Sequence, residues 1–220
     1  MRVLIKWTSV FVGLGLLIGC TGQKIEVSKE VPEEEVGIKE ELEEEVKEDI
    51  VGKRVLMIIA SHNFRDEELE LPKEVLEKEG VKVEIASSTL RESRGMRGMK
   101  VKPDILISDV NVEEFDAVIF IGGIGAKEYW DSEVAHKIAK KAVRSNKVLG
   151  AICIAPVTLA RAGVLENKKA TVWSSEVGRL KEKGAIYTGK GVETDGNIIT
   201  ANGPSAASEF GKAIVKALRR

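Results

Sequence analysis

Cys153 is the only cysteine of the 220-residue chain beyond its first twenty positions. It lies in Lys147-Val-Leu-Gly-Ala-Ile-Cys-Ile-Ala-Pro-Val-Thr-Leu-Ala-Arg161. Val148 to Ile152 is an apolar run without helical spacing, the pattern of a strand buried on both faces. Pro156, three residues past the cysteine, has the fixed φ and missing N–H that suit the first turn of a helix. Cys153 is therefore expected on a strand-to-helix corner. A thiol there projects from the sheet toward the N–H groups and partial positive charge of a helix N-terminus, and both favour thiolate over thiol. The chemistry this permits is nucleophilic attack or reversible oxidation at one sulfur. A free cysteine is also a common small buried apolar residue, so the corner alone leaves both readings open.

The elements that must position this sulfur alternate in type from Arg54 onward. Strands are expected at Arg54–Ala60, Lys82–Ala86, Phe115–Ile121 and Ala170–Trp173, and helices at Glu67–Glu79, Ser132–Ser145, Ser175–Lys183 and Ser205–Leu218. Gly80 closes the first helix. The second is read with Val134, Ile138 and Val143 toward the core. Ser88–Asp109 reads as irregular, with a short antiparallel piece around Met99–Val101 and Ile105–Ile107. Gly191–Thr194 and Asn197–Ala201, joined by Asp195-Gly196, form a hairpin pattern. Strand and helix alternation implies a doubly wound, mostly parallel α/β sheet of the flavodoxin-like kind, with helices on both faces. In such folds reactive groups gather beyond the C-terminal edge of the strands. The loops Ser61–Asp66 and Gly122–Lys127 should meet the Cys153 corner there.

Composition bounds the rest. A hydrophobic share of 43% with 5% aromatics suits an aliphatic α/β core, and a net charge of −1 gives no general attraction to nucleic acid. The Lys- and Glu-rich 31% charged fraction is a bias typical of proteins from hot environments. Arg2 and Lys6 precede an uncharged, mostly apolar stretch ending in Leu17-Ile18-Gly19-Cys20, the order of a lipoprotein-type signal with Cys20 as the lipidated residue. Residues 1–20 are thus read as a signal peptide. Residues 21–52 are read as an acidic flexible tether, since Lys24–Ile50 holds 12 acidic residues against 4 lysines. Residues 53–220 form the folded domain. The expected location is a membrane-anchored, extracytoplasmic lipoprotein, the alternative being a cytoplasmic protein with a misassigned start.

Four stretches then resemble those of the ThiJ/PfpI family of the class I glutamine amidotransferase-like superfamily. They are Phe64-Arg-Asp-Glu-Glu-Leu-Glu-Leu-Pro72, Ala117-Val-Ile-Phe-Ile-Gly-Gly123, Ala151-Ile-Cys-Ile-Ala-Pro156 and Gly191-Val-Glu-Thr-Asp-Gly-Asn-Ile-Ile-Thr-Ala-Asn-Gly-Pro204. The resemblance implies a nucleophile elbow with Cys153 as nucleophile and Glu68 as the carboxyl group bonded to its sulfur. A carboxyl beside a thiolate should hold its proton, because adjacent anions repel. The resemblance further implies backbone N–H groups of Gly123 and Ile154 as an oxyanion site, no cofactor, and a homodimer or larger homo-oligomer.

The departures are equally specific. Family members with peptidase-like sites place histidine after the cysteine, where this chain has Ile154, and others draw one from a later strand end, where Trp173 stands. Only His62 and His136 exist in the chain. His62 lies at the right sheet edge to be a possible imidazole for the site, and His136 reads as a surface residue. Two histidines without a Cys or carboxylate cluster give no metal site. Gly122-Gly-Ile-Gly-Ala-Lys127 lacks the spacing of a phosphate loop. Three functions stay open: a glyoxalase- or deglycase-like enzyme acting on reactive carbonyls through Cys153, a peptidase or amidase of the same family, and a non-enzymatic sensor that uses oxidation of the same cysteine.

Overall fold

The computed structural model describes residues 50–220, so the stretch expected as a signal peptide, Cys20 and nearly all of the stretch expected as a tether lie outside the described residues. No helix among the described residues is long and apolar enough to cross a membrane. Ile50, placed by composition in the tether, is fully buried in the core. Nearby, the Gly52 N–H donates to the Gly80 carbonyl at 2.9 Å. Packing therefore begins a few residues before the composition changes.

The first strand, β1 (Arg54–Ile58), is followed by a short β2 (His62–Phe64), helix α1 (Asp66–Lys78) and β3 (Lys82–Ser87). After β4 (Ser93–Gly95), β5 (Lys100–Val101) and β6 (Ile105–Leu106) come β7 (Ala117–Phe120), α2 (Glu133–Arg144), β8 (Val148–Ile152) and α3 (Pro156–Arg161). The chain closes with β9 (Lys169–Ala170), α4 (Val177–Glu182), β10 (Ile186–Tyr187), the hairpin β11 (Val192–Asp195) and β12 (Ile198–Ala201), and α5 (Ala207–Leu218). The main sheet has the order β11-β12-β8-β7-β1-β3-β6. Every neighbouring pair in it is parallel except β11 with β12. This is the expected doubly wound architecture. The crossover through α1 runs outward from β1 to β3, and the one through α2 runs the other way, from β7 to β8. Right-handed connections then put the two helices on opposite faces, and α1 packs with α5 while α2 packs with α3.

Several expectations are corrected. Val134 and Val143 are exposed, while Ala135, Ile138, Ala139 and Ala142 are buried. The buried stripe of α2 is centred on alanines, and the two valines flank it on either edge because a helix turns about 100° per residue. The pieces at Met99–Val101 and Ile105–Ile107 do not pair with each other: β5 runs antiparallel to β4, and β6 joins the main sheet parallel to β3. The strand expected over Ala170–Trp173 ends at Ala170. Beyond it Thr171 N–H donates to Thr200 Oγ1 at 2.8 Å and Trp173 N–H to the Cys153 carbonyl at 2.8 Å, so side-chain and loop partners replace a ladder.

The central position of β8 fixes the site's foundation. All five of its residues are buried, flanked by β7 and β12. Gly150 has no side chain because a β-carbon there would stand 2.6 Å from Ile119 Cδ1 and 2.9 Å from Phe210 Cζ. Gly150→Val should therefore destabilise the domain by about 1–3 kcal/mol through overpacking. Denaturant unfolding measures this, and a midpoint equal to wild type would show that the core is looser than this packing requires.

Candidate active site

Cys153 follows β8 directly and adopts φ 64°, a left-handed conformation uncommon for a residue with a side chain. The bend is held on both sides, by Cys153 N–H to the Ala201 carbonyl at 2.9 Å and by Trp173 N–H to the Cys153 carbonyl at 2.8 Å. Pro156 opens α3 as expected. The sharp corner read from the sequence is present, and it turns the thiol toward the loop after β7.

Glu68 meets it there. It sits in the first turn of α1 and is completely buried. A β-carbon on Gly122 would collide with Glu68 Oε2, Cys153 Cβ and the Ile152 carbonyl at once, so carboxylate and cysteine press on the same bare backbone. Gly123, at φ 93°, is equally constrained, because a side chain would meet the backbone of residues 63–65. The N–H groups of Gly123 and Ile154 both face the sulfur. The structure thus brings together Cys153, Glu68, Gly123 and Ile154.

The electrostatics differ from the expected stable thiolate. Cys153 is only 8% exposed. Burial first, and the Glu68 charge second, push the thiol up to about 12, against the opposing pull of the Gly123 and Ile154 N–H groups. Burial likewise pushes Glu68 up to about 7, with the Cys153 thiol, the Arg65 charge and the Gly122 N–H opposing it. Neither Glu68 oxygen has a hydrogen-bond partner of good geometry, so these contacts are in reach yet poorly aligned. The site admits one negative charge. Between about pH 7 and 12 the pair therefore shares one proton, and its titration belongs to both groups. The helix N-terminus fails to create a free thiolate because desolvation outweighs two N–H donors.

His62 does not join the site. Its ring is exposed, with Nδ1 3.3 Å from its neighbour Ser61 Oγ, and it does not line the cavity above Cys153. His136 is half-buried on α2, with Nε2 2.9 Å from the Trp130 carbonyl. Among the described residues no group of three or more His, Cys, Asp or Glu side chains is placed to hold a metal ion.

The cavity has a volume of about 280 Å³, at the small end for a ligand site. Glu68 and Cys153 lie in it beside Arg65, Met96, Lys127, Trp173 and Glu176. Met96 is carried by the β4–β5 turn, which buried Asp66 anchors by accepting from Arg97 N–H at 2.9 Å and Met99 N–H at 2.8 Å. Arg65 is paired with Glu67 at 2.8 Å, as is Arg97. Arg65 and Lys127 lie on loops expected at this edge and Trp173 stands where the resemblance puts a histidine, while Met96 and Glu176 are the wall residues that sequence reading missed. The signal available was the pair of loops flanking the corner: Phe64-Arg-Asp-Glu on one side and Trp173-Ser-Ser-Glu on the other.

Residues 53–217 match the model of the DJ-1/PfpI family. An uncharacterized protein of Methanocaldococcus jannaschii is 44% identical over 179 residues, 80% of this chain and 87% of its own. The deglycase PfpI of Pyrococcus furiosus is 30% identical over 164 residues, 74% of this chain and 99% of its own. Other relatives at 28%, 30% and 31% identity are named as a glutathione-independent glyoxalase or as deglycases. Among solved structures, the ThiJ/PfpI domain protein of Brachyspira murdochii aligns with a TM-score of 0.75 at 32% identity, covering 76% of this chain and 97% of that one.

Two outcomes follow from the shared proton. Iodoacetamide alkylation of Cys153 should rise with pH through an inflection near 7, and Glu68→Gln should abolish that inflection and displace the rise to alkaline pH. An unchanged profile would show that Glu68 does not govern the sulfur. The second outcome is in stability. Because the folded value of Glu68 is raised from the ordinary 4.5 to about 7, its contribution is fully present below pH 4.5 and is lost as pH climbs through 7. The loss is on the order of 3 kcal/mol. Glu68→Gln avoids it, so the variant should gain on wild type between pH 4.5 and 8 in chemical denaturation, and a constant difference across that range would contradict the burial cost.

Proposed function

Because this chain belongs to the DJ-1/PfpI family, we propose that it is a cysteine-dependent enzyme acting on small reactive carbonyl compounds, with Cys153 as nucleophile and Glu68 as its proton partner. The observation that carries this reading is the complete burial of Glu68 against Cys153 beside a small cavity. Relatives that carry the names deglycase and glyoxalase support the substrate class.

With a 2-oxoaldehyde in the cavity, the S–H proton passes to the Glu68 carboxylate as sulfur bonds to the aldehyde carbon. The carbonyl π pair moves onto oxygen, where the N–H groups of Gly123 and Ile154 receive the developing charge. Returning the proton from Glu68 to that oxygen gives a neutral hemithioacetal. This sequence suits a pair that holds one proton near neutral pH, since a group with pKa near the working pH both takes and gives it readily. It revises Glu68 from a standing acid beside a thiolate to a base toward a thiol.

A peptidase reading is weaker because amide cleavage needs a donor for the leaving nitrogen, and neither histidine lines the cavity. A sensor reading is weaker because a buried thiol with a raised pKa oxidises reluctantly. Methylglyoxal consumption by the purified domain tests the proposal. Wild type should produce lactate with a rate that climbs through pH 7, and Cys153→Ser should lower kcat at least about a hundredfold while the circular dichroism spectrum persists. Equal turnover by the serine variant and wild type would sink the proposal.

A further inference from the structure

The carbonyl reading leaves one step without a residue. Glu68 relays the proton that accompanies sulfur addition, yet turning the adduct into a thioester moves a second proton between the two former carbonyl carbons. No imidazole lines the cavity, but Glu176 does. It ends the single 3-10 turn Ser174–Glu176 after Trp173. Two backbone hydrogen bonds tie it to the elbow, Trp173 N–H to the Cys153 carbonyl at 2.8 Å and Glu176 N–H to the Trp173 carbonyl at 2.9 Å. Its side chain is 12% exposed, with Oε2 paired to Arg179 Nε at 2.9 Å and Oε1 accepting from Ser175 Oγ at 2.9 Å. Arg179 in turn lies 5.2 Å over the Trp130 ring, whose Nε1–H donates to the Ile154 carbonyl at 3.1 Å. The carboxylate is thus braced by the same groups that brace the elbow.

The two carboxylates also reach the cavity from opposite flanks. Glu68 arrives with α1, which follows β1, two strands from β8 in one direction. Glu176 follows β9, which packs beside β11 and β12 on the other side of β8. A substrate bonded to Cys153 therefore has one acid–base group on each side.

We propose, resting on the carbonyl reading above, that Glu176 is the second catalytic carboxylate and carries the proton between the two carbons of a 2-oxoaldehyde adduct. Glu176 takes the hydrogen of the sulfur-bearing carbon as a proton. The C–H electron pair becomes a carbon–carbon double bond and the neighbouring carbonyl π pair moves onto its oxygen, while the Glu68 carboxylate passes the hydroxyl proton of the first carbon to that oxygen. Glu176 then returns its proton to the second carbon as the oxygen left on the first closes into the thioester carbonyl, so both carboxylates end as they began. One carbon is oxidised and its neighbour reduced, so no outside oxidant takes part. Water then cleaves the C–S bond, releasing a 2-hydroxy acid and restoring the thiol.

The test compares wild type, Glu176→Gln and Glu176→Asp with methylglyoxal. Glu176→Gln should lower kcat by about a hundredfold or more with KM within about twofold of wild type. Its iodoacetamide alkylation rate should be unchanged, and a Cys153–methylglyoxal adduct should still appear in the intact mass, since addition does not need Glu176. Glu176→Asp should recover part of the rate. Turnover by Glu176→Gln within threefold of wild type overturns the proposal, as does a parallel loss of alkylation and turnover, which marks a structural role. A wild type without turnover takes down the carbonyl reading itself, and the role of Glu176 with it.

Discussion

Two groups that can each ionise in water are packed here into a space that accepts one charge between them. Burial drives both Glu68 and Cys153 upward, and the Glu68 charge raises Cys153 further. The shared proton is therefore a property of the packing and belongs to neither side chain alone. It keeps the thiol protonated at rest and places beside it a base that titrates near neutral pH. A reactive sulfur is held ready without standing as an exposed thiolate.

The fold serves that constraint. Positive φ at Cys153 requires the residues around it to be over-determined. The bend is pinned from Ala201 on one side and Trp173 on the other, while glycines at 122 and 123 let backbone, carboxylate and sulfur meet without a side chain between them. The fully buried strand β8 provides the rigid base beneath. Holding Glu68 without well-aligned partners costs stability above neutral pH, the kind of local expense that functional sites impose on an otherwise consistent fold.

The architecture was legible because its signals are local. An apolar run, a corner and a proline locate β8 and α3, and Asp195-Gly196 locates the β11–β12 hairpin, where Gly196 has φ 62°. The parallel sheet follows from the alternation of elements. What could not be read locally came out differently. The alanine-centred stripe of α2 carries a weak hydropathy signal beside Val134 and Val143, so the larger valines drew the reading to the stripe's edges. The protonation of Cys153 depends on desolvation by residues distant in sequence, and no motif reports that. Glu176 was invisible for a related reason: it follows a strand shorter than its pattern, and only the cavity shows that it shares a wall with Cys153. The four quoted stretches led to Glu68, Gly123 and Ile154, and periodicity could not have separated Glu68 from its acidic neighbours.

The proton relay requires Glu68 to titrate near neutral pH because of where it is buried. A carbon-13 NMR titration of its side-chain carboxyl in the folded domain tests this directly. The expected midpoint is near pH 7. A midpoint near the ordinary carboxylate value of 4.5 would mean that Glu68 is solvated and free of the sulfur's influence, and the proton relay built on it would have no foundation.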